Sequence, residues 1–66
     1  MTPEERRTIE DAILAYVAKE KPAFLWYAEK KIAADGFNFD DVHAVVEELR
    51  KARRLICPTG GWKVAS

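Results

Sequence analysis

Apolar positions recur at helical spacing near the start of the chain, at Ile9, Ala12, Ile13, Tyr16 and Val17, and give one buried stripe. Thr2 is placed to cap this helix, Pro3 suits its first position, and Glu5 completes a capping box. Acidic residues in the first turn favour the helix dipole. Lys21-Pro22 ends the segment, because the residue before a proline is pushed out of the α region. The pattern predicts a first helix from Pro3 to Glu20.

After a short extended link at Pro22-Ala23-Phe24, a second stripe of Leu25, Ala28 and Ile32, with Phe24 helping, predicts a helix to Ala34. Lys30 and Lys31 fall on its solvent side, and Gly36 is placed as a left-handed cap. Asn38 then reads as an N-cap answered by Asp41, and Phe37 and Val42 have the spacing of a hydrophobic staple. The third helix is predicted over Phe39–Arg53. Its buried stripe is Val42, Val45, Val46, Leu49 and Ala52, and its outer stripe is Asp40, Ala44, Glu47, Lys51 and Arg54, with His43 on the flank. Glu47 and Lys51 stand four apart, a favourable ion-pair spacing.

The period then changes. Leu55-Ile56-Cys57 is a short apolar run, Pro58-Thr59-Gly60-Gly61 is turn chemistry, and Trp62-Lys63-Val64 alternates. This predicts a hairpin with Trp62 and Val64 on one face. The alternation argues against a plain three-helix bundle with a disordered tail. Residues 1–66 therefore read as a single domain, mostly α with a small β-hairpin.

Three helices, a tight glycine turn and a two-stranded antiparallel wing make an order that resembles a winged helix-turn-helix domain. The stretch from Val42 to Ile56 looks like that family's third helix running into the first wing strand, and Gly61-Trp62-Lys63-Val64 like the returning strand. The resemblance implies DNA binding through the third helix and wing, as in a transcriptional regulator, with protein or RNA partners in a minority of such domains. Trp62-Lys63-Val64-Ala65 also resembles the branch that binds left-handed nucleic acid. That branch carries an Asn and a Tyr where this chain has His43 and Glu47, so its specificity is not carried over.

Composition sharpens this in two ways. The chain has 66 residues, 48% of them hydrophobic, which allows one modest core. One Cys cannot pair within the chain, and together with a start unlike a signal peptide it points to a reducing, cytoplasmic setting. No apolar run approaches the ~20 residues of a membrane span, so no membrane role is expected.

Acids and bases number 11 each, so a globally cationic coat is excluded, but the charges are segregated. Residues 35–48 hold Asp35, Asp40, Asp41, Glu47 and Glu48 and no Lys or Arg. Residues 50–63 hold Arg50, Lys51, Arg53, Arg54 and Lys63 and no acid. One reading of this layout is helix-dipole complementarity. The functional reading is a phosphate-binding strip along the end of the third helix and the wing.

In that strip Lys51, Arg54 and Lys63 are the first candidates and Arg53 a further one. Thr59 is expected at the wing tip as a donor to one phosphate, and Arg50, nearer the core edge, is placed to pair with Glu47. Base readout falls to His43 or Asn38 if the third helix enters a groove. Carboxylates at Asp40 and Glu47 would oppose such docking. They suit the alternative instead, a protein-interaction adaptor whose surface also includes Trp26 and Tyr27.

Trp26 and Tyr27 are adjacent, so one helix face cannot bury both; core packing is the first expectation for each and a contact patch the second. Trp62 reads first as the wing's anchor in the core and second as a stacking residue. With free aromatic surface, neutral net charge and a short hairpin edge, a weak homodimer is expected.

Catalytic chemistry finds no support. His43 has only Asp40 and Glu47 at ligand spacing, short of the four ligands of a structural zinc site. Cys57 lies in an apolar run, where a thiol is expected to be an inert core group. No phosphate-binding glycine loop is present. No enzyme activity, metal or cofactor is expected.

Overall fold

The Thr2 hydroxyl accepts from the Glu5 N–H at 3.1 Å, and a helix starts there. The computed structural model describes residues 2–20, 23–57 and 61–65. Helix α1 (Pro3–Lys19) buries Ile9, Ile13 and Val17 of the predicted stripe and half-buries Ala12 and Tyr16. The helix ends at Lys19, one residue short of the expected end, and its cap Glu20 donates its N–H to the Tyr16 carbonyl. The expected stop at Lys21-Pro22 lies outside the described residues.

Helix α2 (Leu25–Ala34) buries Leu25, Ala28 and Ile32 as expected, and also Glu29. Phe24 does not help the inward stripe. It is 51% exposed, because its extended backbone (φ −119°, ψ 125°) turns it opposite to buried Ala23. Helix α3 (Phe39–Lys51) begins on Asn38, whose side-chain oxygen accepts from the Asp40 N–H at 2.8 Å. It buries Val42, Val45, Val46 and Leu49, and half-buried Phe37 packs against the same core. Ile9, Ile13, Val42, Val45 and Val46 are fully buried where the helices meet. Each contributes about 1.5–3 kcal/mol relative to an exposed side chain.

The predicted helix end at Arg53 is corrected to Lys51. Arg53 takes a left-handed backbone, φ +59°, so helical phase is lost there. Ala52, expected in the buried stripe, is an exposed cap for the same reason. Strands β1 (Leu55–Ile56) and β2 (Lys63–Val64) then pair antiparallel, Leu55 with Val64 and Ile56 with Lys63. Leu55 is buried, and Trp62 and Val64 pack against the core from one face. The Trp62 N–H donates to the Ala23 carbonyl at 2.9 Å, so the link before α2 bridges to the hairpin edge.

Pro58, Thr59 and Gly60 of the expected turn lie outside the described residues. Cys57 is exposed, not a core thiol, because it follows β1 instead of facing inward within it. The architecture is three helices followed by a two-stranded antiparallel hairpin, and not a bundle with an unstructured tail. No helix among the described residues is long and apolar enough to cross a membrane.

Candidate nucleic-acid interface

The end of α3 is closed by two backbone bonds. Arg53 N–H donates to the Arg50 carbonyl at 3.0 Å and Arg54 N–H to the Leu49 carbonyl at 2.9 Å. This is the Schellman pattern, with Arg53 at the left-handed position where glycine is favoured. The turn separates the cations that the sequence places on one strip. Arg50, Lys51 and Arg53 line an open groove with Glu47, Ile56, Cys57 and Trp62, between the end of α3 and the hairpin.

Arg54 leaves this set. Its guanidinium pairs with Glu10 on α1, and it lines depressions on the α1 side together with Arg6. Lys51 and Arg54 therefore do not share an outer stripe, because the left-handed residue between them resets the direction of the chain. Arg6 in turn pairs with Glu48. These exposed pairs join α1 to the end of α3, and each contributes at most about 1 kcal/mol.

Arg50 pairs with Glu47 at 2.7 Å and lies over the Trp62 ring, 5.2 Å from its centroid. Glu47 thus meets Arg50, not Lys51 four residues on. Lys51, Arg53 and Lys63 are exposed and form no ion pair among the described residues. Lys63 stands opposite Ile56 on the hairpin, outside the lining of the groove. Thr59 lies outside the described residues.

The two base-readout candidates are already engaged. Asn38 holds its side-chain oxygen on the Asp40 N–H. His43 is exposed, and its Nδ1 stands 3.3 Å from both carboxylate oxygens of Glu29, while Phe39 stacks on its ring at 6.5 Å. Glu29 is the buried charged residue that the sequence reading missed. The available signal was its spacing, four after Leu25 and three before Ile32, on the inward side of α2. Among the described residues no three ligand-type side chains group around a metal position.

Trp26 and Tyr27 correct the expectation of core packing: they are 54% and 55% exposed. The inward side of α2 is taken by Leu25, Ala28, Glu29 and Ile32, which turns both rings to solvent. They touch each other edge to face at 4.6 Å, and Phe24 meets Tyr27 at 6.4 Å. Asp40 is exposed at the opposite end of α3 from the cationic groove.

No protein-family model, curated protein or solved structure matches the chain.

Proposed function

We propose that the protein binds nucleic acid through the end of α3 and the hairpin, with Lys51, Arg53 and Lys63 as phosphate contacts. The observation that carries this reading is that these three exposed cations have no carboxylate partner among the described residues, whereas their neighbours Arg50 and Arg54 do. Unpaired cations gain most from a polyanion, because each phosphate contact releases a condensed counterion. The resemblance to a winged helix-turn-helix regulator agrees with this edge as the docking surface. This docking differs from the usual helix-first mode, since Asp40 and Asp41 begin α3 and would repel a duplex there.

The adaptor reading rests on exposed Trp26 and Tyr27, with Asp40 as its acidic element. Glu47 serves it less well, because its carboxylate is held by Arg50. A salt titration of binding to DNA separates the two. The nucleic-acid reading expects binding at low salt that falls linearly, on logarithmic axes, as salt rises. Absence of binding at low salt rejects it in favour of the adaptor.

A further inference from the structure

The link that leads into α2 meets the hairpin edge at a single bridge. Ala23 and Trp62 are bridge partners, and both turn towards the core. Neighbours along a strand alternate, so Phe24 and Lys63 turn outward, and Ile56 lies opposite Lys63. Diagonal neighbours in such a pairing lie about 7–8 Å apart, within reach of an aromatic or lysine side chain. From Phe24 the ring contacts continue to Tyr27 and Trp26, and the Lys30 ammonium sits 4.0 Å from the Trp26 centroid. The lone acid of residues 23–34 is Glu29, which is buried and faces His43. This face thus combines half-exposed rings with cations and presents no exposed carboxylate of its own helix.

We infer that this face is a stacking platform for single-stranded nucleic acid: unpaired bases lie on Trp26, Tyr27 and Phe24 while Lys30 and Lys63 meet the phosphates. The inference rests on the nucleic-acid reading above and narrows it to the single-stranded class. A duplex keeps its bases stacked on one another, so it offers these rings only its backbone. An unpaired base offers a π face and a negative charge in each repeat, which is the chemistry these residues complement. A second copy of the chain fits less well, because a two-fold contact centred on this patch brings Lys30 and Lys63 of both copies together.

The test is equilibrium binding of the full chain to a thymidine oligonucleotide of about 16 nucleotides and to a mixed-sequence duplex of the same length. Trp26→Ala with Tyr27→Ala is compared with Trp26→Phe with Tyr27→Phe, which keeps the rings. Both sites are exposed, and a thermal melt close to wild type checks the fold. The platform predicts tighter binding to the single strand and a loss of ~10-fold or more in the alanine variant. It also predicts recovery in the phenylalanine variant and unchanged duplex binding.

Equal single-strand affinity of the alanine variant and wild type overturns the platform. So does a preference for duplex, which leaves the broader nucleic-acid reading standing. Failure to bind either probe overturns both, and binding to poly-glutamate in their place assigns the face to an acidic peptide. A dimer in sedimentation that the alanine variant abolishes, without an effect on oligonucleotide binding, assigns it to a second copy.

Discussion

Helices α2 and α3 both end on a left-handed residue, but only α3 closes with the full Schellman pair; at α2 the Ile32 carbonyl accepts from the cap Asp35. Each leaves the helix through a residue at positive φ, Gly36 at +113° after α2 and Arg53 at +59° after α3. Below each turn lies a buried residue, Ile32 or Leu49, whose carbonyl accepts a closing N–H. At α2 the residue at the turn is the one that geometry favours. At α3 an arginine holds a conformation that costs a side-chain-bearing residue on the order of 1 kcal/mol. The lesson is that the second turn is not tuned for stability alone. It directs Arg53 into the groove beside Lys51 and sends Arg54 away to Glu10.

The comparison breaks most severely if the residues under the turns are removed. Leu49→Ala and Ile32→Ala are each expected to cost about 2–5 kcal/mol, by lost burial plus the cavity left behind. Thermal melts check this, and a wild-type-like melt for either variant would show that its turn rests on something else. Next in size is the contact that ties the two helices together. His43→Ala leaves the buried Glu29 carboxylate without its partner and is expected to cost about 1–3 kcal/mol by urea denaturation.

The turns themselves give smaller effects of opposite sign. Gly36→Ala is expected to destabilise by about 1–2 kcal/mol. A Cβ there meets no atom within 4 Å, so the cost is one of backbone conformation and not of crowding. Arg53→Gly is expected to stabilise by about 0.5–1 kcal/mol, because it removes the strain and keeps both closing bonds. Matched denaturation curves for these two variants sharpen the comparison; a loss of stability in Arg53→Gly would mean that its side chain supports the fold.

Most of this architecture was legible from residue spacing. Thr2, Gly36 and the stripes of α1, α2 and α3 each state a local rule that tertiary packing then obeys. The hairpin was legible because Trp62-Lys63-Val64 alternates where the preceding residues do not. The end of α3 was not, because Arg53 carries no sequence mark of a left-handed residue; helical phase extended through it put Ala52 in the core and Arg54 beside Lys51. Trp26 and Tyr27 misled for another reason. Large rings are expected inside, but α2 fills its inner side with smaller residues and a glutamate, and leaves the rings in solvent. Glu29 stayed hidden although its spacing sets it on the inner side of α2, because a glutamate reads as a solvent residue until His43 arrives from another helix.

On the function proposed above, the end of α3 and the hairpin form a phosphate-binding edge built on Lys51, Arg53 and Lys63. The most direct test is the salt dependence of binding for Lys51→Ala/Arg53→Gly/Lys63→Ala against wild type, on whichever nucleic acid the wild type binds more tightly. The account predicts that the logarithmic slope flattens by about 2–3, the loss of three phosphate contacts, while Arg54→Ala leaves the slope near wild type. An unchanged slope in the triple variant would contradict it.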